Sequence, residues 1–204
     1  MTKKYNSVLI IGMGLIGSSI SRALVENHVA NSVYGLDSDD KIIKKCHDLN
    51  LLVQGETNLN NFDLQFDLII ICTPLSAYKN IFSSLSDFIS QPTLITDVGS
   101  TKMSTISDFK NAVTNTNITF VPSHPIAGLE KSGPEYGFSK LFDNRYCILT
   151  PYETNDAATS SISEMWKSIG MTVELMEADR HDRVLAMTSH IPQLIAFSVV
   201  GTAT

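Results

Sequence analysis

The run Val8-Leu9-Ile10-Ile11-Gly12-Met13-Gly14-Leu15-Ile16-Gly17 constrains this chain more than any other stretch. A short apolar run meets Gly12-x-Gly14-x-x-Gly17, and an amphipathic helix pattern follows. That order is a strand, a tight turn and a helix N-terminus, the arrangement a dinucleotide pyrophosphate needs. Gly12 allows the sharp turn. Gly14 admits a phosphate close to the backbone, and Gly17 lets the helix pack near the strand. The first helical residues, Leu15 and Ile16 among them, then offer backbone N–H groups and the positive end of the helix dipole to an anion. Glycines at this spacing also recur in ordinary turns, so the context decides. A second apolar run, Val33-Tyr34-Gly35-Leu36, ends in Asp37, 20 residues beyond Gly17. An acid at that place accepts hydrogen bonds from both ribose hydroxyls and repels a 2′-phosphate, which selects NAD over NADP. A glycine turn beside a solvated aspartate leaves this register of strand, glycines, helix and acid unexplained.

Strand and helix signals alternate along the chain. Strands are expected at Val8–Ile11, Ser32–Leu36, Leu68–Cys72, Thr93–Asp97, Thr119–Pro122, Tyr146–Leu149 and Thr172–Met176. Helices are expected at Leu15–Asn27, Asp39–Leu49, Ala77–Ile89, Lys102–Asn111 and Asp156–Ile169, with Ser38 or Asp39 capping the second. Leu51–Asn61 is short and irregular, with room for a minor strand, and Ser123–Asn144 is a long polar insert. Leu68-Ile69-Ile70-Ile71-Cys72 is apolar throughout, as a parallel strand covered on both faces must be. The fold class that follows is α/β, a Rossmann-type doubly wound parallel sheet. Ligands of such sheets bind beyond the carboxyl ends of the strands. That singles out Gly12–Gly17, Asp37, Thr73-Pro74, Asp97–Lys102 and Ser123–Gly133. From Ala178 the pattern turns wholly helical as far as Val200, with Pro192 implying a kink. The chain ends at Gly201-Thr-Ala-Thr, with no charged last turn or cap, as a helix cut in mid-course. The expected division is 1–176 for an NAD-binding domain and 177–204 for the beginning of a helical domain.

Composition narrows the function class. A chain of 204 residues with 43% hydrophobic and 18% charged residues is an ordinary globular sequence. Its net charge of −6, with no long run of Lys or Arg, argues against a nucleic-acid or anionic-membrane surface. Cys46, Cys72 and Cys147 are far apart and form no CxxC, so they read as reduced cytosolic thiols and not as disulfides or a zinc site. No tight His or Cys spacing calls for a metal. No apolar stretch is long enough to span a membrane, and the three glycines break any resemblance of the first apolar run to a signal peptide.

Two constellations at the sheet edge carry chemistry. In Asp97-Val98-Gly99-Ser100-Thr101-Lys102, Ser100 is either the N-cap of the following helix or a hydroxyl set beside the nicotinamide. In Ser123-His124-Pro125-Ile126-Ala127-Gly128-Leu129-Glu130-Lys131-Ser132-Gly133, His124 is either a proton acceptor at neutral pH or a loop histidine bonded to backbone. Glu130 and Lys131 read, by themselves, as a solvated ion pair. His181-Asp182 and His190 lie in the last helical stretch. Helical spacing puts His181 and His190 on nearly opposite faces, so they do not share one ligand.

These motifs, together with Ser189-His190-x-Pro192, occur in this order in the prephenate and arogenate dehydrogenases of tyrosine biosynthesis, which the chain resembles over almost its whole length. The resemblance implies NAD-dependent oxidative decarboxylation of prephenate to 4-hydroxyphenylpyruvate, or of arogenate to tyrosine. It implies that His124 is the catalytic base for the ring hydroxyl. Ser100 then bonds that hydroxyl, the histidine or the nicotinamide. Glu130 and Asp182 belong to an ionic network around the substrate, with Lys131 beside it. Gln193 stands where some members carry a second histidine. Thr73 and Pro74 join the cofactor-binding set. The resemblance further implies a cytoplasmic homodimer joined through the helical dimerisation and substrate domain. Two other readings compete: an NAD-dependent dehydrogenase of the β-hydroxyacid or imine reductase type, which takes a lysine from its helical domain, and a non-catalytic NAD-binding module.

Overall fold

The computed structural model describes residues 4–190. Nine strands and six α-helices alternate through it. The first strand, β1 (Tyr5–Ile11), leads through the glycine turn into α1 (Leu15–Glu26). Next come β2 (Ala30–Leu36), α2 (Asp40–Asp48), β3 (Gln54–Glu56), β4 (Leu68–Ile71) and α3 (Tyr78–Phe88). The unit continues through β5 (Thr93–Asp97), α4 (Met103–Ala112) and β6 (Ile118–Phe120). These six strands form one parallel sheet in the order β3-β2-β1-β4-β5-β6. The strand order therefore reverses between β1 and β4, which opens a crevice at their carboxyl ends. Asp39 caps α2, its side chain accepting from the Lys41 N–H at 2.9 Å, and so settles which of the two candidates serves.

Both faces of this sheet are covered, which explains its uninterrupted apolar strands. Val8, Ile10, Leu68 and Ile70 enter one core with Leu24 and Trp166. Leu9, Ile11, Ile69 and Ile71 enter the other with Phe82, Phe109 and Phe120. The second core is aromatic at its centre. Phe82 meets Phe109 edge-on at 5.3 Å between ring centroids, and Phe109 stacks on Phe120 at 4.8 Å.

The later strands depart from the single doubly wound sheet that the alternation suggests. β7 (Ser123–Pro125), β8 (Tyr146–Leu149) and β9 (Thr172–Leu175) form a separate three-stranded sheet. In it β7 and β8 are antiparallel, while β8 and β9 are parallel around α5 (Asp156–Ser168). Cys147 and Leu149 of β8 are buried with Phe142 and Trp166 in the core beneath α1, so this sheet is the outer layer of that face. The stretch read as a polar insert is structured for the same reason. Its two 3₁₀ turns, Pro134–Tyr136 and Ser139–Phe142, lie against α1, and Leu141 and Phe142 are buried. Arg22 donates to the Pro134 carbonyl at 3.1 Å, and the Phe138 N–H donates to Ser19 Oγ at 3.2 Å.

The last described helix, α6 (Ala178–Leu185), runs into a π turn over Ala186–His190. The helix expected through Val200 thus leaves α geometry at Ala186. Pro192 and Gln193 lie outside the described residues.

Candidate active site

The glycine turn has the expected construction. Gly12 adopts φ +93°, and a Cβ there would lie 2.8 Å from the Cys72 carbonyl at the end of β4. A Cβ on Gly17 would lie 2.1 Å from the Gly12 oxygen, so only glycine lets α1 approach β1 this closely. At Gly14 a Cβ would meet nothing within 4 Å, which leaves open space in front of the α1 N-terminus. Gly14 is also the N-cap residue and offers no side chain to the first-turn amides of Leu15, Ile16 and Gly17. Leu15 itself turns into the core, so its contribution at this edge is its backbone.

Asp37 stands at the end of β2, half-buried. Its Oδ2 accepts from the Met13 N–H at 2.8 Å and its Oδ1 from the Asp39 N–H at 3.0 Å. The glycine loop therefore orients the carboxylate. A cleft of about 410 Å³ opens beside it, lined by Gly12, Gly14, Asp37, Cys72, Thr73 and Pro74 among others. Thr73 Oγ1 is buried there with no partner among the described residues. A buried hydroxyl left in this way is a place for a ligand hydrogen bond. Open space at the helix N-terminus, a fixed carboxylate lining the same cleft and an orphaned hydroxyl in the cleft wall together fit a dinucleotide.

Deeper at the sheet edge lies a buried ion pair. Lys102 and Asp97 are both fully buried, and Lys102 Nζ donates to Asp97 Oδ1 and Oδ2 at 2.9 and 2.6 Å and to the Ser123 carbonyl at 2.6 Å. Burial pushes the Lys102 ammonium below its ordinary range, against the pull of Asp97. Asp97 also accepts from the N–H groups of Gly99 and Ser123 at 2.9 and 3.0 Å. The Ser123 hydroxyl bonds the Asp97 carbonyl and lies 2.9 Å from Thr96 Oγ1, while Trp166 Nε1 donates to it at 3.2 Å. The β5–α4 loop and the start of β7 are thereby fastened together. The Lys102 ammonium is engaged by Asp97 and the Ser123 carbonyl, so it belongs to the scaffold of the site.

His124, next in β7, is held by a chain of groups. Its Nδ1 lies 2.9 Å from His181 Nε2, and His181 Nδ1 lies 2.8 Å from Asp182 Oδ1. Asp182 in turn accepts from the Lys102 N–H at 2.8 Å and the Met103 N–H at 2.9 Å, which makes it the cap of α4. Burial alone would raise the Asp182 carboxyl, but those two N–H groups and His181 outweigh it and hold it below the usual carboxylate range. Burial lowers His181, and its bond to Asp182 does not make up the difference, which favours the neutral ring. A carboxylate only accepts, so His181 carries its proton on Nδ1 and accepts on Nε2. That nitrogen faces His124 Nδ1.

The expected residues divide accordingly. His124 and Asp182 are brought into one hydrogen-bonded chain. Ser100 is half-buried in the β5–α4 loop but does not cap α4, because that helix starts at Met103 and takes its cap from Asp182. Glu130 and Lys131 are exposed on the loop after β7, and no ion pair joins them among the described residues. Lys131 Nζ instead sits 4.9 Å from the Tyr136 ring centroid. Cys72, at the end of the apolar run of β4, packs against the core and also lines the cleft. Lys102 and His181 are the two residues of consequence to which sequence reasoning gave no role. For His181, its place beside Asp182 was the one available signal.

Comparison with known proteins decides the family. The family signature described as "Prephenate dehydrogenase, nucleotide-binding domain" matches residues 20–175. The chain belongs to the prephenate dehydrogenase family. It is 35% identical over 198 residues to the cyclohexadienyl dehydrogenase of Zymomonas mobilis, covering 97% of this chain and 67% of that protein. Identity to the prephenate dehydrogenase of Bacillus subtilis is 31%, over 98% of this chain and 54% of that one. Among solved structures, prephenate dehydrogenase from Aquifex aeolicus in complex with hydroxyphenyl propionate and NAD⁺ superposes with a TM-score of 0.90 at 33% identity, over 97% of this chain and 68% of that one. The chain thus spans about two thirds of some family members and about half of others.

Proposed function

We propose that this chain binds NAD⁺ and serves the oxidative decarboxylation of prephenate to 4-hydroxyphenylpyruvate. The observation that carries this reading is His124, placed by β7 just beyond the parallel sheet and tied through its Nδ1 to His181 at 2.9 Å and on to Asp182. Prephenate is a cyclohexadienol with a carboxylate on its quaternary ring carbon. Its C4 hydroxyl must lose a proton as C4 loses hydride, and loss of CO₂ then aromatises the ring. NAD⁺, when bound, supplies the hydride acceptor. His124 takes the hydroxyl proton, Ser100 offers a hydroxyl on the neighbouring loop, and the α1 N-terminus with Asp37, Thr73 and Pro74 holds the cofactor. Support for this assignment comes from the family and from the Aquifex relative, whose complex holds NAD⁺ and a hydroxyphenyl acid. Glu130, Lys131 and Gln193 belong to the substrate side of this reading, and residues 177–204 to a helical unit that follows the NAD-binding domain of residues 1–176. The internal engagement of Lys102 leaves the substrate carboxylates to other cations. A homodimer and a cytoplasmic location complete the proposal, on the family resemblance and on the cysteine usage; sedimentation measures the first. Among the described residues no helix is long and apolar enough to cross a membrane.

The test is a paired assay of NADH formation with prephenate and with arogenate, beside a calorimetric NAD⁺ titration. Faster turnover of prephenate, lost in His124→Asn, is the expected result. Faster turnover of arogenate overturns the substrate assignment, and NAD⁺ failing to bind overturns the cofactor assignment.

A further inference from the structure

We propose that His181 is a positioning residue for proton abstraction: it holds His124 in the Nδ1–H tautomer, so that Nε2 is the nitrogen that receives the substrate proton. The inference rests on the reading of His124 as the base, and it adds a role for a residue that makes no contact with substrate or cofactor in that reading.

Three observations carry it. First, His181 is fully buried, and both of its ring nitrogens are used, one toward Asp182 and one toward His124. A histidine buried for packing alone has no need of a second histidine at 2.9 Å. Second, the contact has hydrogen-bond geometry. The rings meet edge-on at 70°, with centroids 5.1 Å apart, which directs an N–H of one ring into the nitrogen lone pair of the other instead of stacking their faces. Third, the far end of the chain is anchored. Asp182 is fixed by two backbone N–H groups of the α4 start, and that start is fixed by the buried Lys102 pair. The backbone of His124 is already set by its pairing opposite Ile148 in β8. What His181 adds is a fixed acceptor for Nδ1, which favours the tautomer protonated there. In water a neutral imidazole prefers the Nε2–H form, which has no lone pair on the outward nitrogen. The bond the other nitrogen makes decides the tautomer in a protein. A base oriented by a third group is a recurring arrangement in proton transfer. When the hydroxyl proton moves to Nε2, His124 becomes a cation donating from both nitrogens. His181 accepts from Nδ1 throughout, so no proton needs to pass further along the chain.

The experiment is a two-bond ¹H–¹⁵N correlation of the imidazoles in the ¹⁵N-histidine-labelled full chain with saturating NAD⁺, with His124→Asn to assign the signals. It is repeated on His181→Phe and His181→Gln. The oxygen and nitrogen of a glutamine amide are spaced much like the two ring nitrogens, so Gln can donate to Asp182 while accepting from His124. The expected result is a protonated Nδ1 and an unprotonated Nε2 for His124 in the wild type and in His181→Gln. In His181→Phe the Nε2–H form should return. Prephenate turnover follows the same division: kcat falls about 10²-fold or more in His181→Phe, the scale expected of a base in the wrong tautomer, with KM within about twofold and NAD⁺ affinity unchanged. In His181→Gln most of kcat is kept. An Nε2–H form of His124 in the wild type overturns the proposal. So does His181→Phe with unchanged kcat, or His181→Gln as impaired as His181→Phe. The tautomer is read without turnover, so a correct tautomer in a chain that oxidises no prephenate refutes the proposed function and not the role of His181.

Discussion

Burying the Lys102 ammonium costs several kcal/mol, and Asp97 with the Ser123 carbonyl offsets this through contacts of 2.6 to 2.9 Å. The pair is more informative when broken than when counted. Lys102→Met leaves Asp97 buried and uncompensated and is expected to cost about 3–5 kcal/mol, read as a lower urea midpoint at unchanged slope. His124→Asn, by contrast, should leave the urea midpoint nearly in place and lower kcat by roughly 10²–10⁴-fold, the range for a lost general base. KM should move far less, because the interaction strengthens in the transition state; a variant with near-normal kcat would falsify the role. On the proposed role of Asp37 as the ribose acceptor, Asp37→Ser should cut the preference for NAD⁺ over NADP⁺ by about tenfold or more, measured by titration with both. These residues differ in how visible they are in the sequence. Gly12, Gly17 and Asp37 act within one local βαβ stretch, so their spacing gives them away. His181, which bonds His124, lies 57 residues downstream, and no spacing rule connects a loop histidine to one on a later helix.

Helix α4 shows how an element is completed from outside itself. The sequence offers Ser100 as a cap, yet the helix begins only at Met103, and the carboxylate that caps it comes from α6. Asp182→Ala is therefore expected to lose about 1 kcal/mol as a missing cap, together with the anchor of His181. The same link makes stability depend on pH. His181 is held below its ordinary 6.5 in the folded chain, so as pH falls through 6.5 the unfolded chain binds a proton that the folded one refuses. Stability from this group is fully present above 6.5 and declines below it. Asp182, held below its ordinary 3.8, acts in the same direction in a lower window, its contribution present above 3.8 and lost as pH drops through the folded value. The wild type should thus melt progressively earlier from about pH 7 to pH 5, and His181→Gln should flatten that slope. Calorimetric melts across the range read it, and parallel curves for the two proteins contradict it. At this scale the centre of the parallel sheet was legible because β4 and the end of β1 are continuous apolar runs, whereas β3 (Gln54–Glu56) has none to mark it. The strands β8 and β9 were legible too, but their separation into a second sheet was not, because β7 is only three residues long and finds its partner across an insert whose average is polar. The two residues that order that insert, Leu141 and Phe142, are hidden within the average.

For the molecule as a whole, the crevice is built before any ligand arrives. The parallel sheet is covered on one face by α3 and α4 and on the other by α1, α5 and the second sheet. The glycine turn and Asp37 are bonded to each other across the crevice mouth. A site formed in this way binds only the folded chain, so cofactor affinity must appear as stability. At a free concentration of 100 times its Kd, NAD⁺ should add about 2.7 kcal/mol. For a domain of this size, that corresponds to a rise in Tm of roughly 5–10 °C. The measurement needs no substrate and is independent of turnover, so it isolates the cofactor half of the function. NADP⁺ at the same concentration should raise Tm much less, since its 2′-phosphate would face the carboxylate that Met13 and Asp39 hold in place. In Asp37→Ser the two cofactors should give nearly equal shifts. Equal shifts in the wild type would remove the discrimination assigned to Asp37, and no shift with either cofactor would show that the crevice is not a dinucleotide site.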